Sequence, residues 1–224
     1  MSDYRVLALR HRRGGASEGD APEPSVEVSR FYFCITNEPD ITPAYDAGWN
    51  DTGSAVRRNL VSAKIVESQV FGGPSAVNGN GLCVQFVSAA LVSQAIAGTV
   101  KCYARAFDFD EAGDITSRLS IKVVSSDGAS VRGTLLALGD HSTGSLFNFP
   151  ARNKAFADGD ALSGVSAQSG DRLVVEMGGN CTQGLAVRIE RGAPEGTDDL
   201  PEDETTTDQL VGWIEFSNPI LVAA

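Results

Sequence analysis

The chain is short of the side chains from which most catalytic and metal sites are built. Its 224 residues include only 4 cysteines, 2 histidines, 2 methionines and 2 tryptophans, and aromatics make up 7%. The cysteines, Cys34, Cys83, Cys102 and Cys181, are single and widely spaced. With no C-x-x-C pair, a zinc ribbon or a thioredoxin-like motif is not expected. Buried thiols acting as small apolar residues are the better reading. Basic residues are also scarce: 18 Lys and Arg against 29 Asp and Glu leave a net charge of −11. Nucleic-acid binding needs clustered Lys and Arg, so no direct nucleic-acid contact is expected.

Long apolar runs are missing too. Residues 82–100 are interrupted by Gln85, Ser88, Ser93, Gln94, Gly98 and Thr99. They fall short of the about 20 apolar residues of a membrane span, so no membrane partner is expected. The apolar run of residues 6–9 is shorter than the roughly 7–15 residues of a secretory leader. Synthesis in a reducing cytoplasm is the expectation. No G-x-G-x-x-G or Walker sequence is present, and no G-x-S-x-G elbow. No cofactor is expected.

What is present is glycine, 24 residues of it, set between short apolar runs. Residues 1–29 read as an extended N-terminal arm. They carry Val6, Leu7 and Leu9, then Arg10, Arg12 and Arg13, then a Gly/Ala/Pro-rich linker. Four arginines against Asp3 give residues 1–13 a charge of +3, which leaves −14 for the rest of the chain's −11. Residues 30–75 hold one strand, 30–36, and a loop or arm packing on the remainder. Within it, residues 54–61 fit either helical turns or an extended segment.

Residues 76–224 read as the β core. Strands are expected at 82–87, 96–109, 118–124, 134–138, 161–166, 172–177, 185–190 and 210–217. In the second, Val100, Cys102, Ala104 and Ala106 alternate with Lys101, Tyr103 and Arg105, the period of a half-buried strand. Turns are expected at Asp158-Gly159-Asp160 and Met177-Gly178-Gly179-Asn180. Short strands separated by Gly/Asp turns predict an all-β antiparallel β-sandwich of jelly-roll type. Residues 196–208 hold six acids and no base, and read as a solvated loop.

Candidate chemistry is sparse. Asp140, His141 and Ser142 are sequence neighbours, an arrangement that does not align acid, base and nucleophile. Their expected role is a polar turn. Asp108, Asp110 and Asp114 offer oxygen ligands at a calcium-like spacing. The loop departs from an EF-hand at Ala112 and Leu119, and an acidic turn is the plainer reading. Glu176 is a carboxylate in mid-strand, expected on the solvent face or partnered at an edge. Trp49 and Tyr45 could form a platform for a glycan; Phe147 is a further candidate, and Trp213 reads as core.

Several segments together resemble small structural proteins of tailed bacteriophages. They are Ile41-Thr42-Pro43-Ala44-Tyr45-Asp46-Ala47-Gly48-Trp49-Asn50-Asp51-Thr52, Arg57-Arg58-Asn59-Leu60, Ile96-Ala97-Gly98-Thr99-Val100, Arg132-Gly133-Thr134-Leu135-Leu136, Ser169-Gly170-Asp171-Arg172-Leu173-Val174-Val175-Glu176 and Val211-Gly212-Trp213-Ile214-Glu215-Phe216. That family uses jelly-roll sandwiches as capsid decoration, head-fibre or tail components. The resemblance implies a virion structural protein, made in the host cytoplasm, that binds other virion proteins and copies of itself as a homo-oligomer. It implies no catalytic residue, and the chain is expected not to be an enzyme. The alternatives are a carbohydrate-binding module of a tail or fibre and, less favoured, a glycan-degrading enzyme with two convergent carboxylates.

Overall fold

The computed structural model describes residues 25–33, 37–64, 69–72, 78–108, 115–142, 151–181, 187–191, 198–204 and 210–224. They form strands β1 (Ser25–Phe33), β2 (Val56–Val61), β3 (Gln69–Gly72), β4 (Gly79–Ala90), β5 (Gln94–Asp108), β6 (Thr116–Val124), β7 (Val131–Gly139), β8 (Arg152–Ala167), β9 (Arg172–Cys181), β10 (Val187–Arg191) and β11 (Trp213–Ala223). Among the described residues there is no helix, and none long and apolar enough to cross a membrane. The chain is all-β, as its alternating pattern predicts.

One sheet holds every strand, in the order β3-β10-β5-β11-β1-β2-β4-β9-β6-β7, with β8 also paired to β5. Pairing is antiparallel throughout except between β2 and β4, which run parallel. The alternation explains the layers. On β5, Val100, Cys102, Ala104 and Ala106 enter the main core; on β9, Leu173, Val175 and Met177 do. Both ends of the strand order feed that one core, through Ile189 of β10, Phe156 of β8, Ile121 of β6 and Leu135 of β7. The sheet therefore curls. Its edge strands meet where a Cβ on Gly133 of β7 would lie 2.8 Å from Val165 of β8. His141 and Asp160 close the same seam at 3.4 Å.

Several boundaries differ from the sequence expectation. β1 starts at Ser25 rather than residue 30, because residues 25–28 pair with 220–223 of β11. Residues 56–61 are a strand, held by β4. Asp158-Gly159-Asp160 is a bulge inside β8 and not a turn. Val100 faces Asp160 while Lys101 faces Asp158, and the skipped Gly159 takes φ +91°, a conformation glycine adopts without a Cβ penalty. Met177–Asn180 likewise continues β9. The glycine there serves contact: a Cβ on Gly178 would overlap the Gly81 carbonyl and lie 2.9 Å from the Trp49 ring. The described cysteines, Cys83, Cys102 and Cys181, are buried. Cys34 lies outside the described residues.

Candidate functional site

The outer face of β4, β9 and β6 carries a polar cluster centred on Glu176. This residue sits on a central strand, between Gln85 of β4 and Ser120 of β6 in direct register. It is fully buried, at 0% exposure. The expectation of a solvent-facing or edge carboxylate is thus corrected. The reason is a cover: residues 41–50 lie over the sheet, with Ile41 packed on Val87, Val124 and Val174.

Each Glu176 oxygen is held by protein donors. The Trp49 indole donates to Oε2 at 2.7 Å and the Ser120 hydroxyl at 3.1 Å. Gln85 Nε2 donates to Oε1 at 2.8 Å and Lys122 Nζ at 2.9 Å. The Asp46 N–H points between the two, at 3.1 and 3.2 Å. Lys122, itself 4% exposed, also donates to the Ala44 carbonyl at 2.8 Å. The chain of contacts continues outward. Arg57 Nε donates to Gln85 Oε1 at 2.9 Å and stacks 4.2 Å from the Tyr45 ring centroid. A buried charge is tolerable only when paired and hydrogen-bonded, and this one is both. The cluster therefore acts as an anchor that clamps residues 43–49 onto the sheet.

This geometry also decides the glycan platform. Trp49 is buried at 6% exposure, its ring lying on Gly178 and its N–H committed to Glu176, so it presents no open face. Tyr45 is half-buried beneath Arg57. Trp213 is core, at 1% exposure.

A second cover crosses the opposite end of the sheet. Tyr32, Trp213 and Tyr103 stand in register on β1, β11 and β5. Leu200 packs on them, and the Trp213 indole donates to the Leu200 carbonyl at 2.8 Å. Three of the acids around Leu200 meet cations. Asp199 pairs with Arg30 at 2.5 Å and Lys64 at 2.6 Å, Glu202 with Lys101 at 2.5 Å, and Glu204 with Lys154 at 3.3 Å. Asn153 donates to the Pro201 carbonyl. Within the expected solvated loop, Asp199, Leu200, Pro201 and Glu204 are thus held on the sheet while Asp198, Glu202 and Asp203 stay exposed. The correction follows from the cations: Arg30, Lys101 and Lys154 stand on β1, β5 and β8, and Lys64 follows β2. Burial, with Asp158 beside it, holds the Tyr103 hydroxyl well above the ordinary tyrosine range.

The other sequence candidates separate. His141 lies 2.9 Å from the Ala137 carbonyl and 3.4 Å from Asp160, whereas Ser142 bonds Asp140 and Ser117. The structure does not assemble them as a base and its nucleophile. Asp108 ends β5 through backbone pairing with Val187. Asp110 and Asp114 lie outside the described residues, as do Phe147 and the arm residues Val6, Leu7, Leu9, Arg10, Arg12 and Arg13. Among the described residues, no cluster of three or more His, Cys, Asp or Glu is placed to hold a metal.

The described residues also form an open groove. It has a volume of about 520 Å³ and lies where β1 and β2 part. β1 meets β2 only at Tyr32 and Phe33. Phe31, Leu60 and Val222 form its apolar floor, and Ala63 and Ala89 flank it. Glu38 and Asp40 stand at its rim, their side chains 80% and 67% exposed. Their partners Arg58 and Arg172 are only 16% and 17% exposed, so the rim shows solvent mainly acid.

No family model matches the chain, and no curated protein matches it. Among solved structures it is similar to a CocE/NonD family hydrolase from Staphylococcus aureus, with 12% identity and a TM-score of 0.51 over 92% of this chain. A second structure of such a hydrolase from the same organism gives 11% identity and a TM-score of 0.48 over 88% of this chain. A structure of infectious bursal disease virus, Gt strain, aligns at 9% identity over 81% of this chain and 43% of that one, with a TM-score of 0.21, too low to carry an argument. The chain spans only 38% and 37% of the two hydrolase chains. At this identity the likeness shows a shared fold. It overturns the expectation that the chain is not an enzyme, because the same fold occurs within a hydrolase.

Proposed function

We propose that the chain is a structural subunit of a tailed-phage virion, built on a jelly-roll-like β-sandwich and joined to its neighbours through a basic arm. The observation that carries this reading is the polarity of the molecule. A +3 segment, residues 1–13, precedes a body holding −14, and that body offers a groove with an exposed acidic rim. Two covers lock the outer faces of the sheet through buried or half-buried ion pairs, which suits a rigid part that must present a fixed surface. Repetition in a symmetric assembly offsets the ordering entropy of an arm through multivalency. The test is the composition of purified particles. The protein is expected at a fixed copy number per particle; absence from the particles defeats the reading.

A second reading rests on the hydrolase likeness, which takes in most of this chain and little more than a third of the other. On that reading the chain is the β-rich portion of a hydrolase or its partner. Turnover of chromogenic ester or amide substrates by the purified chain, alone or with a co-purifying protein, supports it over the first.

A further inference from the structure

We infer that the groove between β1 and β2 is an acceptor slot for residues 6–9 of a second copy of this chain, taken up as an added strand. The inference rests on the assembly reading above and gives that reading its docking site. Three observations carry it.

The first is a missing strand. Along residues 25–32, β1 pairs with β11 on one edge, save a bulge near Arg30. Its other edge meets β2 only from Tyr32 onward, so among the described residues no strand pairs with 25–31 on that side. Unpaired N–H and C=O groups beside an apolar floor are a template for strand addition. Val26, on this strand, is one of two large apolar side chains exposed among the described residues, at 49%.

The second is the match of segment to slot. A strand entering this gap would have the core on one side and the chain's own rim on the other. Strands covered on both faces read as continuous apolar runs. Val6-Leu7-Ala8-Leu9 is such a run. The third is charge. Arg10, Arg12 and Arg13 follow the run directly, and the groove presents Glu38 and Asp40 to solvent while their guanidinium partners lie beneath. The linker of residues 14–24 reaches roughly 36–40 Å when extended, enough to cross to a neighbouring body.

The experiment uses full-length chains carrying single new cysteines: Leu7→Cys in one, Ala89→Cys in a second with a size-distinguishing tag. Ala89 lines the groove and is exposed, so its replacement spares the core. Mixed under oxidising conditions, the two are expected to give a heterodimer band well above the background of either variant mixed with wild type. Glu38→Lys in the acceptor is expected to lower that yield by about threefold, an exposed-charge effect. A Leu7→Cys/Ala89→Cys chain that forms only an intramolecular bond overturns the inference in favour of the chain's own arm. Wild-type self-association without the heterodimer overturns the slot but leaves the assembly reading standing. A monomeric wild type without the heterodimer removes both.

Discussion

Replacing Glu176 with alanine removes the acceptor for five donors at once. Lys122 is left 4% exposed with its ammonium facing the vacated site, and the Trp49 and Gln85 donors lose their partner in a dry environment. Breaking one side of a buried pair costs about 3–5 kcal/mol, because the remaining charge stays buried and uncompensated. For a chain of this size about 1 kcal/mol moves the melting temperature by roughly 2–4 °C. The expected fall is therefore roughly 6–20 °C. Lys122→Met is expected to cost a similar amount for the mirror reason. Lys122→Met/Glu176→Leu removes both charges, so it should be less damaging than the two single losses combined, by about 2–3 kcal/mol. The assay is urea unfolding followed by tryptophan fluorescence, since Trp49 reports directly on the clamp. A Glu176→Ala protein within about 1 kcal/mol of wild type, or a strictly additive double variant, would refute the anchoring argument.

Gly178→Ala places a methyl group against the Gly81 carbonyl and the Trp49 ring; a loss of about 1–3 kcal/mol is expected by the same assay. Tyr103 is raised above the ordinary tyrosine value of 10.0 by burial and Asp158. Its contribution to stability is full below pH 10 and declines as pH rises from there toward the folded-state value, because only the unfolded chain ionises readily. Absorbance titration should show this tyrosine ionising last, and ionisation at the ordinary value would contradict its burial. Burial pushes the Cys83 and Cys102 thiols up as well. Both should resist a thiol reagent at pH 8 in the native protein and react fully in denaturant.

The strands with clean alternation were legible. β5 and β6 announce themselves because one face is core and the other polar, and the period of two survives in the residue types. Strand β8 is half hidden, since the polar Asn153 and Lys154 are buried and fall outside the strand expected at 161–166. Their burial comes from residues 198–204, a contact of about fifty positions' separation that no local pattern encodes. Gly159 and Gly178 misled in the same direction. A glycine that permits a bulge or a close contact looks, in sequence, like one that makes a turn. Glu176 stands out as a mid-strand acid, but its partners come from three other segments: β4, β6 and the covering residues 43–49. The signal that marks it is the pairing of a strand acid with the strand lysine Lys122 and a loop tryptophan, which becomes specific only when β4, β6 and β9 are known to adjoin.

A basic arm that joins folded bodies should be needed for association and dispensable for folding. Analytical ultracentrifugation of the full chain against a chain lacking residues 1–24 tests it most directly; the cut stops at 24 because β1 begins at Ser25. The full chain is expected to self-associate at low salt and dissociate as salt screens the charges, while the shortened chain sediments as a monomer with an unchanged melting temperature. Identical sedimentation of the two chains would contradict the claim.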